Sequence, residues 1–345
     1  MNITIGRKKG DPLSFESLAE EKVLQAALRN KLDVPYECAT GTCGSCRAKL
    51  ITGELDHGWI DAPGRQALKI KRGEFLMCQA HALSDCEIRI PSSVSASSAD
   101  VFVPEHYAGK IANITQLTDE VISFSVLLNE AISFQAGQFM IVQFPGVVGT
   151  RAYSMVNYAS QTGQLDFVIK RLEGGGCSEL IFGKGLNSQQ VTLFGPLGHA
   201  VFEPELKHNI LLLAGGSGIA GMMAMLEQAS QIGYLNSHNI ELIFGVRSAA
   251  DIFYLPILQK LAGQYLASLT ITIGLSEQMT GDEISETANL HIKQGFVHEL
   301  IGTVPADTNT MAFIAGPPPM VDASIRELIG AKGFTVQQIR YDKFA

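Results

Sequence analysis

Four of the six cysteines are spaced so that they could bind one metal centre together. Cys38, Cys43 and Cys46 are separated by four and then two residues, and Cys78 follows after 31 more residues. This is the C-x4-C-x2-C…C spacing of plant-type centres that hold two irons and two sulfides. Two glycines in the loop would let backbone N–H groups turn toward sulfur. We therefore predict that the four thiolates bind a 2Fe-2S cluster.

Zinc is the main alternative for this cysteine group. Structural zinc sites usually contain paired short C-x2–4-C units, whereas only Cys43 and Cys46 form such a pair here. Unligated core cysteines are a second alternative, which the concentration of cysteines on one loop disfavours. Cys86 and Cys177 fall outside the pattern, and we expect them to be buried free thiols.

A second segment combines groups suited to a phosphate and a planar ring. Arg151 and Tyr153 lie two positions apart on an extended chain, so the guanidinium and the aromatic ring share one face. The run Gly174-Gly175-Gly176-Cys177-Ser178 precedes a predicted helix, where N–H groups and a hydroxyl could bind a pyrophosphate. The simpler interpretations are an ordinary strand end and a flexible loop. Spacing alone predicts no more than a phosphate and a ring.

A third segment has the pattern of a nucleotide-binding turn. Residues 211–221, LLLAGGSGIAG, predict a buried strand that runs into a glycine turn and a helix. The turn contains Gly215, Gly216, Ser217 and Gly218 and formally matches G-x-G-x-x-G. The dinucleotide fingerprint is incomplete, because we find no suitable acidic residue on a second strand ~20 residues further on.

With these patterns the chain resembles the reductase components of bacterial multicomponent oxygenases, of the toluene and phenol monooxygenase type. Residues 1–90 resemble the ferredoxin domain of that family, and the remainder resembles the ferredoxin–NADP reductase superfamily. The segments that carry the resemblance are LQAALR (24–29), GEL (53–55), DAPG (61–64), FLMCQ (75–79), RAYS (151–154), GGGCS (174–178), FGPLG (194–198), FGVR (244–247), AGPPPM (315–320) and YDKF (341–344).

The resemblance implies FAD and a nicotinamide nucleotide as further cofactors. For FAD it implies a pyrophosphate contact from Arg151, a ring contact from Tyr153, Ser154 near N5 of the isoalloxazine, phosphate binding by Gly174, Gly175 and Ser178, and an aromatic lid from Phe344. For the nucleotide it implies binding by Gly215, Gly216, Ser217, Gly218, Arg247, Gly316 and Pro317.

Two positions depart from the pattern of the family. Ala315 stands where the family commonly has a cysteine beside the nicotinamide, and Gly221 stands where it commonly has proline. We expect phosphate binding to persist at both. The missing thiol at Ala315 should cause a modest loss in hydride transfer, which depends on close positioning. Ser154, near N5 by the resemblance, and Ala315 are the candidate catalytic positions. Arg247 and Ser248 match 2′-phosphate contacts of NADP-using relatives. The resemblance nevertheless favours NADH, with NADPH as the alternative.

Composition excludes several classes of protein. The chain has 345 residues, 26 basic and 34 acidic, and a net charge of −8, which disfavours a nucleic-acid binder. Residues 1–95 carry 13 basic and 12 acidic side chains, so the acidity lies in the rest of the chain. The 46% hydrophobic content excludes general disorder. We expect no signal peptide and no membrane span, and hence a cytoplasmic protein.

The pattern of elements predicts three domains of α+β and α/β type. A β-grasp 2Fe-2S ferredoxin domain at 1–95 contains a predicted helix from Ser17 to Lys31. A Ser/Ala/Pro-rich linker at 96–106 leads to an antiparallel β-barrel for FAD at 107–206. Apolar strands then alternate with helices at 207–345, which predicts a parallel α/β nucleotide-binding domain.

The predicted function is electron transfer from NADH to FAD, then to the cluster, and then to an oxygenase. A hydride carries two electrons and the cluster accepts one at a time. The expected partner is a terminal mono- or dioxygenase or an intermediate Rieske or ferredoxin component, and we expect a monomer. One alternative is a reductase of the same architecture for deoxysugar biosynthesis or for general ferredoxin or flavin reduction. Another is a non-enzymatic, metal-stapled interaction protein.

Overall fold

The computed structural model of the protein describes residues 1–7, 10–97, 102–183, 186–277, 287–305 and 309–343. Its three main sheets follow one another along the chain, first a mixed sheet of five strands, then an antiparallel and a parallel sheet of six strands each. The predicted fold class is confirmed: the first sheet carries the cysteine loop, the second is the antiparallel barrel and the third is the α/β domain.

The N-terminal sheet has the strand order β2-β1-β8-β4-β6. Its parallel β1–β8 pair lies between antiparallel neighbours. The elements of this part are β1 (Asn2–Ile5), β2 (Leu13–Glu16), α1 (Val23–Arg29), β3 (Leu32–Asp33), β4 (Arg47–Thr52), β5 (Leu55–Asp56), β6 (Glu74–Leu76), β7 (His81–Ala82), β8 (Cys86–Arg89) and β9 (Ser95–Ala96).

The helix α1 is shorter than the predicted helix from Ser17 to Lys31. Glu20 has a left-handed backbone with φ of 59°, a conformation that a helix cannot continue through. The helix therefore begins at Val23, and it ends at Arg29, before Lys31 with φ of 60°. The apolar face that the sequence predicted is buried against the sheet.

The barrel sheet has the order β13-β12-β15-β10-β11-β14, and each neighbouring pair is antiparallel. Its elements are β10 (Glu105–Thr118), β11 (Val121–Ile132), β12 (Phe139–Gln143), β13 (Arg151–Ser154), β14 (Thr162–Lys170), α2 (Gly176–Phe182) and β15 (Gln190–Leu197). The strand β9, which pairs with β3, and the start of β10 both extend into the range 96–106 predicted as a linker. Composition could not reveal such short pairings.

The C-terminal sheet has the order β19-β18-β17-β16-β20-β21 and is parallel throughout. Its elements are β16 (Asn209–Gly215), α3 (Ile219–Gln231), β17 (Ile240–Val246), α4 (Leu255–Gln264), β18 (Leu269–Leu275), β19 (Leu290–Gln294), α5 (Val297–Leu300), β20 (Thr310–Gly316), α6 (Pro318–Gly330) and β21 (Ile339–Lys343). The sequential order of the strands reverses between β16 and β20. The carboxyl ends of these two strands therefore form the crevice where ligands bind in such sheets.

The N-terminal domain is packed against the outer face of the barrel. Phe139, Ile141, Phe194 and Leu197 of the barrel belong to the same apolar core as α1 and β1. A polar contact joins the same two domains, since the Glu21 carboxylate lies 3.0 Å from Nε2 of His106. The cysteine domain therefore rests on the barrel over both apolar and polar surface.

Candidate functional site

The four predicted cluster cysteines come together in two pairs. The Sγ atoms of Cys38 and Cys43 are 3.1 Å apart, and the thiols of Cys46 and Cys78 form the second hydrogen-bonded pair. Cys78 reaches the loop because β6 pairs with β4 and ends just before it, and because Met77 N–H donates to Cys46 O at 3.0 Å. Cys43 is exposed, whereas the other three are buried.

Backbone donors surround the sulfurs of this loop. The N–H groups of Thr40 and Cys43 lie 3.5 and 3.4 Å from Cys38 Sγ, and Ser45 N–H lies 3.4 Å from Cys43 Sγ. The thiol of Cys43, the Thr42 side chain and the N–H groups of Thr40 and Cys43 outweigh burial and lower the pKa of Cys38 to about 4. Gly41 and Gly44 have φ of 94° and 81°, as the loop was predicted to need, although their neighbours supply the donors.

Two thiol pairs fit a two-iron centre better than a single zinc ion. A tetrahedral zinc would draw all four sulfurs around one point, whereas a 2Fe-2S cluster takes four cysteines shared between two irons. The donor set therefore fits the cluster that the spacing predicted.

The flavin segment lies on β13, at the edge of the barrel. Tyr153 packs among the rings of Phe124, Phe144 and Phe167, and its hydroxyl lies 3.2 Å from Cys177 Sγ. This contact places β13 next to the first turn of α2, which follows the glycine loop. Arg151 uses Nη1 to donate to Thr150 O at 3.0 Å.

The loop before α2 is held in shape by Ser178. Its hydroxyl accepts from Leu172 N–H at 3.1 Å and lies 2.8 and 3.0 Å from the carbonyl oxygens of Leu172 and Gly175. Gly174 has φ of 71° with open space where a side chain would stand. Ser178 was predicted to contact phosphate, and in this structure its hydroxyl organises the loop that would surround the phosphate.

The predicted nucleotide residues meet at the carboxyl ends of β16 and β20. Ala214 pairs with Ala315 across the two strands. A side chain on Gly215 would collide with Met320, and one on Gly218 would place Cβ 2.2 Å from Ala315 O. The glycine turn therefore packs directly on the Ala315–Gly316–Pro317 segment. Ser217, in the middle of the turn, is partly exposed.

Ser154 connects the flavin segment with the nucleotide domain. It is buried at the end of β13, and a Cβ on Gly221, in the first turn of α3, would lie 3.7 Å from Ser154 Cβ. The two candidate catalytic positions, Ser154 and Ala315, thus lie on either side of the start of α3. This proximity brings the predicted flavin edge next to the predicted nicotinamide crevice.

The cysteine loop touches the barrel and the C-terminal strand at one junction. The Tyr36 hydroxyl, two residues before Cys38, accepts a hydrogen bond from Gly198 N–H at 3.2 Å. The Asp342 carboxylate of β21 lies beside the same glycine. Burial, followed by the nearby Glu37, raises the pKa of Asp342 to about 7. Sequence reasoning missed Tyr36 and Asp342, since nothing local indicates their long-range contacts.

Arg247 directly follows the end of β17. It forms ion pairs with Glu120 of the barrel at 2.6 Å and with Asp251 at 3.4 Å. Phe344, the predicted lid, lies outside the described residues. Among the described helices, none has both the length and the apolar character that a membrane span requires.

Three family models match this chain in the order of its sheets. A 2Fe-2S iron-sulfur cluster binding domain matches residues 7–83, an oxidoreductase FAD-binding domain matches 108–202 and an oxidoreductase NAD-binding domain matches 212–325. The ferredoxin–NAD(+) reductase component of the alkene monooxygenase system of Xanthobacter autotrophicus is 30% identical over 97% of this chain and 98% of its own length. The chain belongs to the family of oxygenase reductase components.

Other oxygenase reductase components are similar along their whole length. The toluate 1,2-dioxygenase electron transfer component of Pseudomonas putida is 31% identical over 94% of this chain and 93% of its own. The solved ferredoxin reductase of carbazole 1,9a-dioxygenase superposes with a TM-score of 0.81 at 26% identity, covering 100% of this chain and 99% of that one. Each relative named here belongs to an oxygenase system.

Membership of the oxygenase reductase components confirms the predicted enzyme class and cofactors. The chain is an NAD(P)H-dependent oxidoreductase with domains for FAD and a 2Fe-2S cluster. The three domains support electron transfer from NADH to FAD and then to the cluster. The alternative of a non-enzymatic scaffold is therefore wrong.

Proposed function

We propose that this chain takes electron pairs from NADH and delivers single electrons to the terminal oxygenase of a multicomponent mono- or dioxygenase. The observation that carries this proposal is the convergence of three segments. Ser154 lies beside the first turn of α3, and Tyr36 bonds to Gly198, so the flavin segment has the nucleotide crevice on one side and the cysteine loop on the other. FAD, when bound, accepts a hydride and releases single electrons to the cluster.

Side chains of the barrel would hold and orient FAD. Arg151 would bind the pyrophosphate together with the N–H groups of Gly174 and Gly175 and with Ser178, which holds that loop in shape. Tyr153 presents a ring that its aromatic neighbours and Cys177 keep in place. Ser154, shielded from water, would offer one hydroxyl near the reactive edge of the ring. Phe344 would cover the ring from the C-terminus.

The crevice between β16 and β20 would hold the nucleotide. Gly215, Gly216, Ser217 and Gly218 form the turn whose N–H groups would face a pyrophosphate, and Gly316 and Pro317 would form the opposite wall. Ala315 is buried beneath the turn. A small apolar side chain there excludes water but offers the nicotinamide little contact, so it positions the ring less firmly than a larger side chain would.

The acceptor would approach the exposed side of the cysteine loop. Cys43 is the exposed member of the four cysteines, while Cys38, on the side of Tyr36, is buried. Electrons would therefore enter from the barrel side and leave near Cys43. The named relatives serve an alkene monooxygenase and two dioxygenases, which supports an oxygenase, or its intermediate ferredoxin or Rieske component, as the partner of a monomeric reductase. We also propose the domain ranges 1–95, 107–206 and 207–345.

Anaerobic titration with NADH, followed by absorbance and electron paramagnetic resonance, tests the proposal. The purified protein should contain FAD and about two irons and two sulfides per chain. NADH should bleach the flavin band and then produce the signal of a reduced cluster. Cys78→Ser should lose iron, whereas Cys86→Ser, at a buried cysteine outside the pattern, should keep it. A bleached flavin with a fully oxidised cluster would refute the route.

A further inference from the structure

Carboxylates enclose Arg247 on several sides. Its Nη2 lies 2.6 Å from Glu120 and 3.4 Å from Asp251. Glu277 adds a third negative charge, since its N–H donates to Arg247 O at 2.9 Å and its carboxylate acts on the guanidinium electrostatically. Lys170 lies 3.5 Å from Glu120, and the Arg171 guanidinium also acts on that carboxylate electrostatically. Arg247 itself therefore faces three carboxylates.

The position of Arg247 in the sheet makes this charge balance important. The β17 strand neighbours β16, and Gly245 pairs with Gly215 of the glycine turn. Arg247 follows two residues later, at the carboxyl end of β17. In parallel nucleotide-binding sheets the adenosine ribose lies at this end of the second strand, where an arginine accommodates a 2′-phosphate and an acidic residue accepts from a free 2′-hydroxyl.

We propose that Glu120, which the FAD barrel contributes across the domain boundary, selects NADH against NADPH by occupying Arg247. A 2′-phosphate carries negative charge and would have to displace Glu120 from the guanidinium while facing Asp251 and Glu277. A free 2′-hydroxyl carries no charge and meets no such repulsion. The proposal rests on the proposed function only in that NADH must reduce the flavin.

The Asp251 carboxylate is fixed and cannot move away from an incoming phosphate. It accepts from Ser248 N–H at 3.0 Å and from Ser248 Oγ at 2.8 Å. Glu120, in contrast, lies on the exposed turn between β10 and β11 and has no helix to cap. Replacing Glu120 therefore isolates the charge effect, while replacing Asp251 would also disturb the turn after β17.

The decisive variant is Glu120→Gln, compared with Glu130→Gln as a matched loss of an exposed carboxylate on β11. An exposed ion pair is weak, but a 2′-phosphate carries more than one charge. We therefore expect kcat/KM for NADPH to rise about threefold to tenfold in Glu120→Gln. NADH kinetics should stay unchanged. Adenosine 2′,5′-bisphosphate should become a correspondingly stronger competitive inhibitor, while 5′-ADP should not.

A second variant tests the role of Arg247 itself. In Glu120→Gln/Arg247→Ala the gain with NADPH should disappear, because no guanidinium remains to meet the phosphate. The proposal is overturned if the wild-type protein uses both nucleotides equally, if Glu130→Gln gives the same gain, or if the gain survives without Arg247. If NADH reduces the flavin neither in the wild-type protein nor in the variants, the result would instead contradict the proposed function.

Discussion

Gly218 should tolerate no side chain, although its backbone conformation would accept one. Its φ of −60° and ψ of −16° are ordinary for any residue, so Gly218→Ala causes no backbone strain. The added Cβ would nevertheless lie 2.2 Å from Ala315 O and 2.5 Å from Ala315 C. An ordinary carbon–oxygen contact is about 3.3 Å, so the turn must move by about 1 Å away from β20.

The size of the effect follows from what can move. Ala315 is backbone-paired to Ala214 in the middle of the sheet, so the glycine turn has to give way. Overpacking of this kind costs about 1–3 kcal/mol. If that cost falls on the binding conformation of the turn, NADH affinity decreases by about fivefold to 150-fold.

Gly221→Ala is the matched control, one turn along α3. Its Cβ would lie 3.5 Å from Gly137 and 3.7 Å from Ser154, which are ordinary contacts. An alanine inside a helix is favoured over glycine by about 0.5–1 kcal/mol. This variant should keep wild-type NADH affinity and equal or greater thermal stability.

The assay is anaerobic NADH titration of both variants, with FAD and iron content measured beside it. Gly218→Ala should retain both cofactors, because the turn lies in the third domain, and should show slow flavin reduction only at low NADH. Wild-type affinity in Gly218→Ala would refute the packing argument. Equal losses in the two variants would show that this region rejects any added carbon, whatever the contact distance.

Three further predictions concern Glu21, Asp342 and Ala315. Burial would raise the pKa of Glu21, but hydrogen bonds from Arg29 and His106 lower it to about 2, a shift equivalent to about 3 kcal/mol. Glu21→Gln should therefore destabilise the N-terminal domain at pH 7. The difference in unfolding free energy between variant and wild type should shrink as the pH falls from about 4.5 toward 2. Urea unfolding, followed by the fluorescence of the single tryptophan, measures this difference. A constant difference over that range would contradict the assignment. Burial raises the pKa of Asp342 to about 7, so the stability of the apoprotein should decline as the pH rises from about 4 to 7. Calorimetry should find a smaller decline in Asp342→Asn. An unchanged decline would show that another group titrates. Ala315→Cys should speed flavin reduction in stopped flow, and an unchanged rate would dismiss the positioning argument.

Local spacing was sufficient to predict the iron–sulfur cluster, whereas FAD and the nicotinamide nucleotide were predicted from the resemblance to a family. The cysteine loop, the β13 pair of Arg151 and Tyr153, and the glycine turn each depend on neighbours within a few residues. For the same reason the parallel and antiparallel sheets were predictable from their apolar patterns.

Contacts between distant residues were beyond such reasoning. Glu120 and Arg247 are 127 positions apart, and Tyr36 and Gly198 are 162 apart, so no local pattern links them. The early start predicted for α1 failed because an apolar periodicity does not show that Glu20 leaves helical geometry. The last strand, β21, was missed since five residues at a sheet edge carry little periodicity.

The shared packing of the cysteine domain and the barrel limits how such chains can be recombined. Phe139, Ile141, Phe194 and Leu197 pack into the N-terminal core from the other domain. In a chimera that takes only its first hundred residues from a relative, these side chains would pack against residues of a different sequence. A transplanted ferredoxin domain should therefore fold on this barrel only when the matching barrel strands are exchanged with it.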